Sequence, residues 1–338
     1  MEYRMRLHEN LTLFRQSVEF ASQKLDIPQI YIEKDYWVTY ALHLIFHHEI
    51  GEETVFKGGT ALSKCFGIIE RFSEDIDLVV LRKDGESANQ LKNKLKKVTE
   101  VVSEQLEDVE IAGVTKKLGM IRKIAFNYKQ EFKGVFGQVR DVLIVESTWL
   151  GRYEPYHKHE IASYIYDMMR AADQLELAKE YGMLPFEVNV LHVNRTICEK
   201  IMSLVRFSYG EDPLDDLKKK IRHTYDIHQL LQVPEIKGFF ESSDFERMLL
   251  LVAKDDTESF KSNNEWLAHH PKEALIFSQT EELWKELENT YTDEFGNLVH
   301  GILPAGTDVL DSLKLVSERI KNITWRIDST DNTNLASV

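Results

Sequence analysis

Apolar residues fall at helical spacing over residues 8–24, where Leu11, Leu13, Phe14, Val18, Phe20 and Ala21 mark one stripe. Asp26-Ile27-Pro28 ends it, since proline supplies no N–H to a continuing helix. A second helix is predicted over residues 30–48, and its Tyr36, Trp37, Tyr40, Leu42, Leu44 and Phe46 read as core packing. The pattern then shortens. Thr54-Val55-Phe56 reads as a strand, Gly58-Gly59 as a turn, residues 61–66 as a short helix with Thr60 as N-cap, and residues 75–81 as a strand. Gly85 marks a turn before an amphipathic helix over residues 86–106, striped by Leu91, Leu95, Val98, Val101, Val102 and Leu106. Partial alternation over residues 109–128 predicts two strands joined near Gly119, and the β-branched run 139–148 predicts another. Residues 152–165, rich in Tyr and His, read as a loop or hairpin. Residues 166–181 read as helical and Phe186–Leu191 as a short strand, with helices from Asn194 through residue 322. The change of character sets a first domain at 1–192, a helical second domain at 193–328 and a polar tail at 329–338 that reads as frayed.

Composition narrows the class. At 338 residues, 43% hydrophobic and 29% charged, the chain can bury a sizeable core and form two lobes. A net charge of −14 argues against a surface that coats nucleic acid, leaving only local basic clusters: Lys116-Lys117, Arg122-Lys123, and Lys218-Lys219-Lys220 with Arg222. No run of about 18 apolar residues is present, so no membrane helix and no membrane partner are expected. The first six residues lack a signal peptide's apolar core. Cys65 and Cys198 form no C-x-x-C pair, which disfavours a disulfide framework or a cysteine zinc site; a cytoplasmic location is expected. His43, His47 and His48 lack a carboxylate at metal-ligand spacing and read as helix-surface and helix-end residues.

Candidate chemistry concentrates between Lys57 and Val80. Paired glycines let backbone approach a bulky anion, and a helix start offers free N–H donors. Residues two apart in a strand share a face, so Asp75 and Asp77 project together while Ile76 packs behind. Adjacent carboxylates repel unless a cation sits between them, and Mg²⁺ or Mn²⁺ suits oxygen ligands. A lone glycine pair is usually a turn and a lone D-x-D a solvated strand end; in this order, with Glu74 as a further acid, they point to nucleotidyl transfer. In the polymerase β-like nucleotidyltransferases, which this stretch resembles, a third carboxylate stands on a neighbouring strand. Glu146 fits best and Asp141 is the alternative.

Two later segments have local readings of their own. Arg195 and Glu199, and Arg222 and Asp226, stand four apart as ordinary helical ion pairs, each worth about 0.3–0.5 kcal/mol, with Lys200 left in solvent. Their order along the chain suggests more. The stretch Gly58-Gly59-Thr60-Ala61-Leu62-Ser63-Lys64 followed by Arg71-Phe72-Ser73-Glu74-Asp75-Ile76-Asp77-Leu78 resembles the first motif of the AbiEii/AbiGii nucleotidyltransferase toxins. These belong to the DNA polymerase β-like nucleotidyltransferase superfamily. Residues 32–37, the R-T-x-x-E-K helix at 195–200 and the R-H-x-Y-D helix at 222–226 extend the resemblance over roughly residues 28–235. One departure is the sixteen-residue step from Gly59 to Asp75, longer than the shortest such intervals.

The resemblance implies an α+β fold: a mixed sheet with flanking helices, then a mainly helical C-terminal lobe. It implies Asp75, Asp77 and Glu146 as metal ligands and catalytic residues, with Lys200 as a phosphate-contacting cation and Asp226 as its acidic partner. Lys57, Gly58, Gly59, Thr60, Ser63, Arg195, Glu199 and Arg222 would line or support the nucleotide site. The implied partners are an NTP, an acceptor such as the tRNA 3′ end, and a cognate antitoxin. The competing readings are a small-molecule, antibiotic-type nucleotidyltransferase, and a catalytically silent nucleotide- or antitoxin-binding module.

Overall fold

The computed structural model describes residues 4–73, 75–134, 140–260 and 263–327. Glu74, the strand residue Val139 and the tail beyond Asp328 therefore lie outside the described residues. The chain divides into two compact units, Met1–His192 with Glu294–Leu303, and Val193–Asp293 with Pro304–Val338. The ten residues 294–303, assigned by sequence to the second domain, thus belong to the first unit.

The first unit begins with α1 (Leu11–Leu25), whose N-cap Asn10 side chain accepts from Leu13 N at 3.2 Å. Next comes α2 (Gln29–Phe46), buried along most of its length. Tyr36, Trp37 and Tyr40 close on the His8 ring, and burial holds that imidazole down to about 4. His43 is not on the helix surface: it is buried, edge-on to Phe186 and stacked on His47 at 3.8 Å. An apolar contact at that turn outweighs the usual preference of histidine for solvent.

Then follow β1 (Thr54–Lys57), α3 (Gly58–Lys64), β2 (Asp75–Val80), α4 (Ala88–Ser103), β3 (Glu107–Val109), β4 (Lys116–Lys117), β5 (Ile121–Asn127) and β6 (Leu143–Thr148). Ser87 and Gln90 form a capping box that starts α4. Residues 152–165 are not a simple loop, because β7 (Tyr156–Ile161) lies there; α5 (Tyr164–Ala171), α6 (Leu175–Glu180) and β8 (Phe186–Leu191) complete the chain order. The strands form one mixed sheet in the order β3-β5-β6-β2-β1-β8-β7, with β4 paired to β5. β2 runs parallel to β6 and antiparallel to β1, which is parallel to β8. Ile76, Leu78, Ile144 and Val145 are buried within these central strands.

The returning segment docks on the loop before β2. Phe72 N donates to Leu298 O at 2.8 Å, His300 N donates to Glu70 O at 2.9 Å, and Arg71 pairs with Val299 as an isolated bridge.

The second unit is helical: α7 (Val193–Phe207), α8 (Pro213–Lys219), α9 (Arg222–Gln232), α10 (Pro234–Glu241), α11 (Ser243–Ser259), α12 (Leu275–Ser278), α13 (Thr280–Asn289) and α14 (Gly306–Ile320). Within it α7 packs on α9 and α11, and α9 on α10 and α14. The molecule is thus α+β, a mixed sheet with flanking helices followed by a helical unit. Among the described residues no helix is long and apolar enough to cross a membrane.

Candidate active site

The polypeptide leaves β1 at Lys57 and enters α3 through Gly58, whose φ of +80° is strained for any residue with a side chain. A Cβ there would also collide with the Asp77 carboxylate. A Cβ on Gly59 would stand 2.6 Å from Arg71 Nη2 and 2.9 Å from Ser73 Oγ. Gly58 is therefore required by its backbone conformation, while a side chain at Gly59 would have to displace the Arg71 and Ser73 side-chain ends. Because α3 begins at Gly58, Lys57 is its N-cap and Thr60 lies inside the first turn rather than capping it. Thr60 Oγ1 instead donates to the Asp75 carbonyl at 2.6 Å and lies 3.1 Å from Ser73 Oγ, tying helix to strand. Ser63 Oγ donates to Thr60 O at 3.0 Å.

Asp75 and Asp77 alternate with buried Ile76, so both carboxylates stand on one face. The parallel pairing sets Asp77 opposite Glu146, which brings a third carboxylate to that face. Asp141 lies before β6 begins and is exposed; its carbonyl accepts from Gln130 Nε2 at 2.6 Å. On the other side of β2, Lys57 pairs with Asp77.

One member of the basic cluster Arg122-Lys123 joins the carboxylates, a link that the sequence reading did not make. Lys123 on β5 pairs with Glu146, its Nζ 2.9 Å from Glu146 Oε2 and 4.0 Å from Asp75 Oδ2. Burial works against its charge, but Glu146, Asp75 and Asp77 outweigh this and hold its pKa above the ordinary value. Asp77 moves the other way. Burial first, then the charges of Asp75 and Glu146, push it up to about 7, against the pull of Lys57 and Lys123.

No group of three or more His, Cys, Asp or Glu side chains is gathered into a metal site among the described residues. The donor chemistry nonetheless fits a hard divalent cation. Every donor is a carboxylate oxygen, Asp77 is pressed toward neutrality by burial and then by like charge, and Asp75 Oδ1 is buried with no hydrogen-bond partner.

Beside the turn, Asp35 of α2 pairs with Lys64 of α3 in a buried bridge and accepts from Tyr164 N at 2.8 Å. Arg71, Ser73, Asp35 and Lys64 line one small cavity with Thr60 and Ser63. The resemblance quoted these residues in its motifs without giving Asp35, Lys64, Arg71 or Ser73 a role.

The remaining sequence candidates lie in the second unit. Arg195 is buried and pairs with Glu199 at 3.1 Å, as expected, and also with Asp255 of α11. Lys200 is not in solvent: it is 6% exposed, and its Nζ lies 2.6 Å from Asp226 Oδ2. Asp226, fully buried on α9, thus pairs across to Lys200 of α7. Arg222, partly buried, opens α9. His223 beside it is held well below the usual imidazole pKa by burial and then by the Lys200 ammonium, and its Nδ1 has no hydrogen-bond partner.

Comparison with protein families gives a match to the model described as nucleotidyl transferase AbiEii toxin, Type IV TA system, over residues 42–314. No curated protein matches the chain.

Proposed function

Because the chain belongs to the AbiEii family of nucleotidyl transferase toxins from type IV toxin–antitoxin systems, we propose that it moves a nucleoside monophosphate from an NTP to a hydroxyl acceptor, the 3′ end of tRNA. The observation that carries this reading is the three-carboxylate face of Asp75, Asp77 and Glu146 beside the Gly58-Gly59 turn. On this reading the sheet is a polymerase β-like core. The acceptor oxygen bonds to the α-phosphorus as the bond to the β-phosphate oxygen breaks; pyrophosphate leaves and the hydroxyl proton passes to solvent.

Asp75, Asp77 and Glu146 would hold Mg²⁺ or Mn²⁺, which when bound neutralises phosphate charge and lowers the pKa of an attacking hydroxyl. The turn at Lys57, Gly58, Gly59 and Thr60, with Ser63 behind it, lets backbone approach the nucleotide's phosphates. Lys123 balances the carboxylates and restrains Glu146. From the second unit the proposal takes Lys200 as a cation for the triphosphate, oriented by Asp226, with Arg195, Glu199 and Arg222 supporting these helices. A cognate antitoxin and a cytoplasmic location complete the proposal.

The test is transfer of label from [α-³²P]NTP with Mg²⁺, run with bulk tRNA, with protein, with small hydroxyl compounds and with no added acceptor. Label should enter tRNA, and Asp75→Asn, Asp77→Asn and Glu146→Gln should each lower the rate at least about a hundredfold. Label confined to small compounds would identify the antibiotic-type alternative, and none in any acceptor the silent module. Unchanged rates in both aspartate variants would falsify the carboxylate assignment.

A further inference from the structure

The two edges of the sheet are built differently. At one end β3 is three residues long and begins with two acids, Glu107 and Asp108; short, charged edges of this kind repel other strands. At the other end β7 runs for six residues, Tyr156–Ile161. Among the described residues its only strand partner is β8.

The ladder fixes what the β7 edge presents. His192 N donates to Pro155 O at 2.9 Å, continuing the register that sets Tyr156 against Leu191. Hydrogen-bonded and non-hydrogen-bonded pairs alternate in an antiparallel ladder, so His157, His159 and Ile161 turn their N–H and C=O groups to β8. Tyr156, Lys158 and Glu160 turn theirs outward, and all three residues are exposed. Their charges are also poorly matched within the chain. Glu160 stands opposite Glu187 of β8, a like-charged cross-strand pair. Lys158 leans to Glu187, its Nζ 3.4 Å from Oε2, and among the described residues no cation pairs with Glu160.

This edge is its own complement. A second copy laid antiparallel on it must set outward-turned residues against outward-turned residues, which places the two-fold axis at a residue and not between two. With the axis at Lys158 the two lysines oppose each other, and at Glu160 the two glutamates do. At His157 the axis sets Glu160 against Glu154. With the axis at His159, Lys158 of each copy faces Glu160 of the other, and both of these pairs exchange backbone hydrogen bonds.

We propose that the protein dimerises by pairing β7 with β7 of a second copy about a two-fold axis at His159, with the Lys158–Glu160 ion pairs selecting the register. The register from Asp77 through Lys57 and Leu191 to Tyr156 puts Tyr156, Lys158 and Glu160 on the sheet face of the carboxylates. In the dimer both carboxylate faces therefore open on the same side of one continuous sheet. Six residues of edge make a small interface, so the dimer forms in a concentration-dependent way.

The test is sedimentation velocity on the full chain, from about 1 µM to about a hundredfold higher. The wild type should pass from monomer to dimer over this range. Lys158→Glu and Glu160→Lys each set like charges opposite in both pairs, and each should weaken association at least about tenfold. Mixed in equal amounts, the two variants should associate as well as the wild type, because every glutamate then faces a lysine. Misfolding would not give that rescue. The exchanged variant Lys158→Glu/Glu160→Lys should dimerise too. A wild type that stays monomeric throughout overturns the proposal and leaves the two charges as guards of an unpaired edge. So does a dimer that both single variants leave intact, which would place the interface elsewhere. A mixture that associates no better than its components overturns it as well. None of these readouts uses label transfer, so they stand apart from the catalytic reading.

Discussion

Asp77 sits where its charge is least welcome: covered by the glycine turn, beside Asp75 and opposite Glu146. Its carboxyl, ordinarily near 3.8, is raised to about 7. The protonated form is thus favoured by folding. That stability is fully present below the unfolded value and is lost as pH rises through the folded one. In chelator, Asp77→Asn should therefore be more stable than wild type at pH 8, by on the order of 2 kcal/mol, and the advantage should shrink toward pH 5. Urea midpoints at the two pH values check this, and a difference independent of pH would contradict it. At this scale the sequence was legible where period two governs, which put both aspartates on one face, while Glu146 was preferred to Asp141 for lying inside the β-branched run. Lys123 was noted only as half of a basic cluster, because a basic doublet does not show which member faces the carboxylates. In the strand its two members point to opposite faces, Arg122 Nε donating to Thr99 Oγ1 at 2.6 Å and Lys123 turning to the carboxylates.

Among the elements, the helix pair α7 and α9 shows what local spacing cannot reveal. Four-residue spacing correctly predicts Arg195 with Glu199, but the pair joining the helices is Lys200 with Asp226, both buried. A buried charge stripped of its partner costs about 3–5 kcal/mol. Lys200→Ala and Asp226→Ala should each destabilise the protein by about that much, and the double variant by much less than their sum. Denaturation midpoints of the three variants measure the coupling. A loss of only a few tenths of a kcal/mol in Lys200→Ala would return that side chain to solvent. Other misses have similar causes. Glycines are poor helix formers, so the first turn of α3 was read as a bend; Gly58 is required there by its backbone conformation, and Gly59 leaves room for the Arg71 and Ser73 side-chain ends. β7 is an edge strand whose residues from Tyr156 to Glu160 are exposed or partly exposed, and its hydrogen bonds to β8 identify it where its polar sequence does not.

For the whole molecule, the first unit is not a continuous stretch of chain, since residues 294–303 return to it. They supply the backbone partners of Glu70 and Phe72, in the loop that leads into Asp75. A fragment of residues 1–192 should therefore keep the sheet but lose protection in this loop. Its Phe72 amide should exchange at least about tenfold faster than in the full chain, and appending 294–303 through a flexible linker should restore it. Hydrogen exchange on the two fragments decides the point; equal protection without the appended segment would show the loop to be self-sufficient. A discontinuous unit of this kind also has a timetable. At about 5–20 residues per second, a ribosome that has finished the last strand of the sheet needs roughly another 5–20 seconds to make the segment that fastens the loop before Asp75. On the proposed function, a nascent chain would be disarmed in this way, because the loop before the strand that carries Asp75 and Asp77 lacks these backbone partners until residues 294–303 have been made.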